Sequence, residues 1–155
     1  MSSERHTLKN EYARWNAERF NGKKSAYIRF DLYRAKLSYS DNGFLCYQSI
    51  SDNVIRKIAR RFRVELNQRC FGNAAKKYGK QLIIVTTVHE LPQLHLHIQA
   101  EILDRDSFIR IKSFIDGFAL KNSWIKNFPY VSENRSDIGS QIYNSRFGSE
   151  TIIDF

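Results

Sequence analysis

Hydrophobic and polar positions along the chain change period several times, and each change predicts an element. In TLKNEYARWNAERF, residues 7 to about 20, Leu8, Tyr12 and Trp15 recur at helical spacing, which predicts an N-terminal helix with its aromatic side inward, stopped at Asn21 and Gly22. SAYIRFDLYRAKLSYS then alternates as a strand, with Tyr27, Arg29, Asp31 and Tyr33 on one face and Ile28, Phe30 and Leu32 on the other. Asp31 reads most simply as a sheet-edge charge. Asp41, Asn42 and Gly43 supply a turn, and GFLCYQS runs back as a hairpin partner. From Ser51 or Asp52, the stripe Ile55, Ile58, Ala59, Phe62 and Leu66 predicts the clearest helix of the chain. After a basic loop, AAKKYGK, the β-branched run QLIIVTTVHE predicts a buried strand. Asp106 is placed to cap a second long helix with Phe108, Ile111, Phe114, Ile115 and Phe118 facing the core. The tail from Trp124 is less regular. A short helix over about 137–147, ended by Gly148, and a last strand or extension in ETIIDF are its expected elements.

The stretch LPQLHLHIQAEI, residues 91–102, carries the chemistry. Leu94, Leu96, Ile98, Ala100 and Ile102 alternate with His95, His97, Gln99 and Glu101, so a strand here puts both imidazoles on one polar face, roughly 6.6 Å apart. An antiparallel hairpin with VTTVHE brings a third group to that face. With Pro92 and Gln93 in a two-residue turn, Glu90 lies opposite His95, and its carboxylate is the expected partner; a register shift of one residue substitutes His89. Two imidazoles and a carboxylate form a mixed nitrogen and oxygen set suited to Mn²⁺ or Mg²⁺, with open positions for water or a phosphate oxygen. A bound cation of that kind acts as a Lewis acid on a phosphodiester.

Composition sharpens the picture. With 155 residues, 42% of them hydrophobic, the chain predicts one domain spanning 1–155 with a single core. No apolar run approaches the roughly 18 residues of a membrane span, and MSSERHTLKN lacks a secretory h-region, so an intracellular, cytoplasmic protein is expected. Cys46 and Cys70 form no CxxC pair and are expected to be free thiols. Twenty-five Lys and Arg against sixteen Asp and Glu give a net charge of +9, and 14% of residues are aromatic, a balance suited to a nucleic-acid partner. Arg56, Lys57, Arg60, Arg61 and Arg63, on the outer faces of the first long helix, are the candidate phosphate contacts.

HLH after a strand and turn resembles the histidine-hydrophobe-histidine motif of HUH endonucleases, the rolling-circle replication initiators, relaxases and related transposases. IRFDLY is similar to an R-x-D-L strand of filamentous-phage-type initiators, and VHE is similar to the pair that supplies their third ligand. The resemblance implies Glu90, His95 and His97 as ligands; Gln99, on the same face as the histidines, is placed to orient a ligand from behind. It implies an attacking tyrosine downstream on a helix. IYNSRF offers Tyr143 with Arg146 at i+3, where initiators carry lysine, and Tyr130 is a second candidate. The fold implied is α+β, a central, mainly antiparallel sheet with flanking helices, related to ferredoxin-like folds. The activity implied is nicking and joining of single-stranded DNA at an origin of a phage, plasmid or other mobile element, through a 5′-phosphotyrosine. No GxxxxGK[ST] occurs, so unwinding is expected of a host helicase.

Two other readings use the same letters. HLHIQ also resembles the histidine-triad nucleotide hydrolases and transferases, where His97 would be the nucleophile, although no Gly- or Ser-rich loop stands near it to cradle a nucleotide. In the other, the sheet is a non-catalytic nucleic-acid-binding surface that presents Tyr27 and Tyr33 to bases.

Overall fold

The computed structural model describes residue 11, residues 14–126, 128–135 and 150–153, the last four and residues 134 and 135 by their backbone alone. The chain is α+β. Residues 14–20 form helix α1. Strands β1 (Lys24–Asp31), β2 (Ala35–Tyr39) and β3 (Leu45–Ser49) precede helices α2 (Asp52–Phe71) and α3 (Asn73–Tyr78). Then come β4 (Ile84–His89), β5 (His95–Glu101), α4 (Arg105–Leu120), β6 (Tyr130–Arg135) and β7 (Glu150–Ile153). Five strands make one sheet in the order β6-β1-β5-β4-β7, with every neighbouring pair antiparallel.

Strand alternation gives this sheet two unlike faces. Ala26, Ile28 and Phe30 of β1 and Leu96, Ile98 and Ala100 of β5 are fully buried on the apolar side. There α2 contributes Ile55, Ile58, Ala59, Phe62 and Leu66, and α4 contributes Ile111, Ile115 and Phe118. Phe62 is the pivot, with ring centroids 5.5 Å from Phe30 and 5.2 Å from Phe118. Both helices begin at side-chain caps: Val54 N donates to Ser51 Oγ at 3.3 Å, and Ser107 N donates to Asp104 Oδ1 at 2.7 Å. The cap of α4 is therefore Asp104 and not Asp106, which lies inside the first turn, where its charge favours the helix dipole.

The expected long first strand is divided. After β1 the chain leaves the sheet at Leu32, which bridges to Ile125, and among the described residues β2 pairs only with β3, in a separate two-stranded sheet. The turn between them is where the sequence places it, with Gly43 at φ +78, a conformation that glycine adopts without strain. AAKKYGK is not a loop: most of it forms the short helix α3, closed by Gly79 at φ +63. The aromatic side of α1 does not face inward as expected, for Trp15 is exposed under Arg19, whereas Asn16 and Phe20 are buried. β7 confirms a strand in ETIIDF, while β6 lies in a stretch without clear periodicity. The expected helix over 137–147 lies outside the described residues.

Candidate metal centre

The polar face of the sheet holds the candidate site. β4 and β5 pair with His89 opposite His95 and Thr87 opposite His97. Residues 90–94 form the connection, longer than the two-residue turn that would set Glu90 opposite His95. The difference is one residue of register, and period-2 geometry makes it decisive: His89 comes onto the face of His95 and His97. Glu90 is exposed in the loop, where its carbonyl accepts a hydrogen bond from the Arg34 guanidinium. Its expected place opposite His95 is thus corrected to His89.

The three imidazoles converge. Each offers a ring nitrogen, and these ligand atoms all lie within 4.8 Å of one another. Ring centroids are 4.0 Å apart for His89 and His97, 4.6 Å for His95 and His97, and 4.9 Å for His89 and His95. His89 and His95 are 1% exposed and His97 9%. Burial is the first cause that lowers all three pKa values, because a charged imidazolium loses its hydration there. For His89 the neighbouring His95 and then Arg29 add to it, and the pKa falls to about 4. For His97 the other two histidines and Arg29 bring it to about 2. His95 is lowered less freely, since the Gln93 carbonyl and Asp31 favour its charged form. All three rings are therefore neutral at pH 7, the form in which imidazole donates a lone pair to a metal.

Hydrogen bonds set where those lone pairs point. His95 Nδ1 lies 2.5 Å from the Gln93 carbonyl, so Nδ1 carries the proton and Nε2 the lone pair. His89 Nε2 lies 3.2 Å from Thr87 Oγ1; donation along that line puts the lone pair of His89 on Nδ1. Tyr27 Oη, on the adjacent strand β1, lies 2.7 Å from the ring nitrogens of His97. A nitrogen-only set of this kind suits transition ions such as Zn²⁺, Co²⁺ or Mn²⁺, and suits Mg²⁺ poorly, because that ion prefers oxygen ligands.

β1 adds charge beside the cluster. Arg29 pairs in register with His97 and Asp31 with His95. Both are half-exposed, and Arg29 Nε donates to Asp31 Oδ1 at 2.8 Å. On its other side Arg29 is opposite Tyr130 of β6, so Tyr130, Arg29 and His97 stand in one row across three strands. Directly opposed residues share a face, which puts Tyr130 two strand spacings, about 10 Å, from His97. The alternation of IRFDLY showed Arg29 on the polar face, but only the pairing of β1 with β5 shows that it adjoins the histidines.

Two further expectations meet this geometry differently. Gln99 accepts from Asn16 Nδ2 at 2.8 Å and donates to Ser25 Oγ at 2.9 Å, which ties α1 and β1 to β5. Arg56, Lys57, Arg60 and Arg61 are exposed and Arg63 is half-buried, but α2 packs on the apolar face, opposite the histidines. Arg61 pairs with Glu65, and Arg63 donates to Gln81. Tyr143 and Arg146 lie outside the described residues. No protein-family model matches the chain, and no curated protein matches it. Among the described residues no helix is long and apolar enough to cross a membrane.

Proposed function

We propose that the protein is a metal-dependent enzyme that nicks and rejoins single-stranded DNA in the manner of HUH replication initiators. The observation that carries the reading is the convergence of His89, His95 and His97, neutral and buried, on the polar face of an antiparallel sheet. These three histidines, with His89 in the place first given to Glu90, are the proposed ligands, and Mn²⁺ is favoured over Mg²⁺ by their donor chemistry. A divalent ion held there would supply Lewis-acid polarisation of the scissile phosphodiester.

The remaining work falls to the chain's own groups. Arg29, half-exposed beside His97, is suited to receive the phosphate and fix its orientation. Tyr143 is the proposed nucleophile and Arg146 its phosphate-binding neighbour. The phenol gives up its proton to solvent, a bond forms between its oxygen and phosphorus, and the bond from phosphorus to the 3′-oxygen breaks. The 3′-oxygen leaves as a hydroxyl, protonated from water. The 5′-phosphotyrosine conserves the phosphodiester energy, so the reverse attack by a 3′-hydroxyl rejoins the strand. Tyr130 is the second candidate, favoured by its row with Arg29 and His97. The exposed cations of α2 act in this reading through long-range attraction of DNA, and origin unwinding belongs to a separate host helicase.

Incubation with labelled single-stranded DNA and Mn²⁺, followed by denaturing electrophoresis, tests the proposal. Label is expected on the protein band and lost in His97→Ala and in Tyr143→Phe. Loss in Tyr130→Phe with retention in Tyr143→Phe would transfer the nucleophile to Tyr130. Absence of label with every divalent metal tried sinks the nickase reading.

A further inference from the structure

The β2–β3 hairpin stands apart from the five-stranded sheet, and its pairing determines what it shows to solvent. Leu37 is opposite Tyr47 and Tyr39 is opposite Leu45, so these four side chains share one face. That face is open: Tyr39 is 76% and Tyr47 79% exposed, and Phe44 beside the turn is 74% exposed. The other face is anchored. Lys36 bonds Ser123 and lies over the Trp124 ring at 4.2 Å, while Ser38 donates to Gln48 within the hairpin itself. Arg34, at the root of the hairpin, donates to the Glu90 carbonyl in the loop that joins His89 to His95. The root is therefore attached beside the histidine cluster, while no other element among the described residues covers the aromatic face.

We propose that this outward face is a stacking platform for unpaired bases of single-stranded DNA, one that leads the strand toward the histidines. The inference rests on the nicking reading for its choice of ligand and adds to it the surface that holds the strand. Three observations select this occupant. Tyr39 and Tyr47 are diagonal cross-strand neighbours, about 7–8 Å apart, so each ring offers its own face to a separate base. The face is mostly apolar, with two phenol hydroxyls and the Ser49 hydroxyl at its edge, which suits stacking and not the reading of base edges in a duplex groove. The charge around the face suits a polyanion: between residues 33 and 50 Asp41 is the one acidic residue, while Arg34 stands at the hairpin's root and Lys36 on its reverse side, in a chain of net charge +9. The same net charge opposes pairing of this face with a second copy.

The test is equilibrium binding of a fluorescent oligothymidine of about 20 nucleotides, measured in chelator so that no metal chemistry enters. The double variant Tyr39→Ala/Tyr47→Ala is expected to bind roughly ten-fold to a hundred-fold more weakly, with an unchanged dependence on salt, because bases and not phosphates lose their contact. Tyr39→Phe/Tyr47→Phe is expected to stay within about three-fold of the native affinity, since the ring face is kept. Both tyrosines are exposed, so neither variant disturbs the core, and a thermal melt confirms it. Unchanged affinity in the alanine variant overturns the proposal. So does a dimer in sedimentation that the alanine variant turns into monomer, for then a second copy covers the face. Tyrosine-dependent binding by a protein that forms no covalent adduct would retain the platform and remove the nickase.

Discussion

Strand β5 carries two polar sites on one face, and they are opposites. At its C-terminal end Gln99 is bonded to Asn16 and Ser25, and Glu101 accepts from Ile83 N and pairs with Lys23 at 2.9 Å. Gln99, Ser25 and Glu101 each meet a complement there, which is what a structural network requires. At the N-terminal end three imidazoles face one another, all lone-pair donors when neutral, beside the cation Arg29. Like groups crowded together, with burial pushing them all to the uncharged form, are poor stabilisers and good ligands. The same alternation produces both ends. What separates them is the neighbouring element: α1 and Ser25 cover Gln99, whereas β4 turns a third histidine toward His95 and His97.

The largest effect should come from removing that third histidine. His89→Ala is expected to lower affinity for Zn²⁺ or Co²⁺ by at least about a hundred-fold, because a three-ligand site becomes a two-ligand one. Glu90→Ala should leave it within about three-fold, its carboxylate standing outside the cluster. Calorimetric titration of the two variants decides between them, and the reverse ranking would restore the carboxylate as ligand.

Next in size is the opposite dissociation. Gln99→Leu deprives buried Asn16 and Ser25 of their hydrogen bonds to the amide, which should cost about 1–3 kcal/mol. Thermal melting should show a fall of several degrees while metal affinity stays within a few-fold. A large loss of affinity instead would make Gln99 a group that orients the ligands, as expected from its place on the histidine face, and would merge the two ends into one site.

Much of this was legible beforehand. The stripes of α2 and α4, the polar face of β5 and the β2–β3 turn follow from period and turn chemistry, since each depends on residues close in sequence. The third ligand did not follow in that way. Whether His89 or Glu90 faces His95 depends on one residue of loop length, and the letters of LPQL admit both. Arg29 and Tyr27 were readable as polar-face residues of β1, yet nothing local states that β1 lies beside β5, a pairing of residues some seventy positions apart. The far side of the sheet was hidden for the same reason: the basic face of α2 is plain in the sequence, but its separation from the histidines is a property of the layers.

The smallest effect is a near-absence of change, and it tests the electrostatics of the cluster directly. Three ordinary imidazoles of pKa near 6.5 would lose metal affinity by about thirty-fold between pH 7 and pH 6, because protons compete at each ring. Burial holds His89 near 4 and His97 near 2, with His95 lowered too, so the folded protein takes up few protons in that interval. Affinity for Co²⁺, followed by its visible absorption, should therefore fall by only a few-fold. The unfolded chain does take up those protons, since its histidines titrate near 6.5. Stability of the metal-free protein is accordingly full above about pH 6.5 and declines as pH falls toward about 4 for His89 and on toward about 2 for His97. A thirty-fold loss of affinity by pH 6, with no acid destabilisation beginning below 6.5, would mean that the rings are hydrated in solution. The contrast between the two ends of β5 would then dissolve into one ordinary polar face.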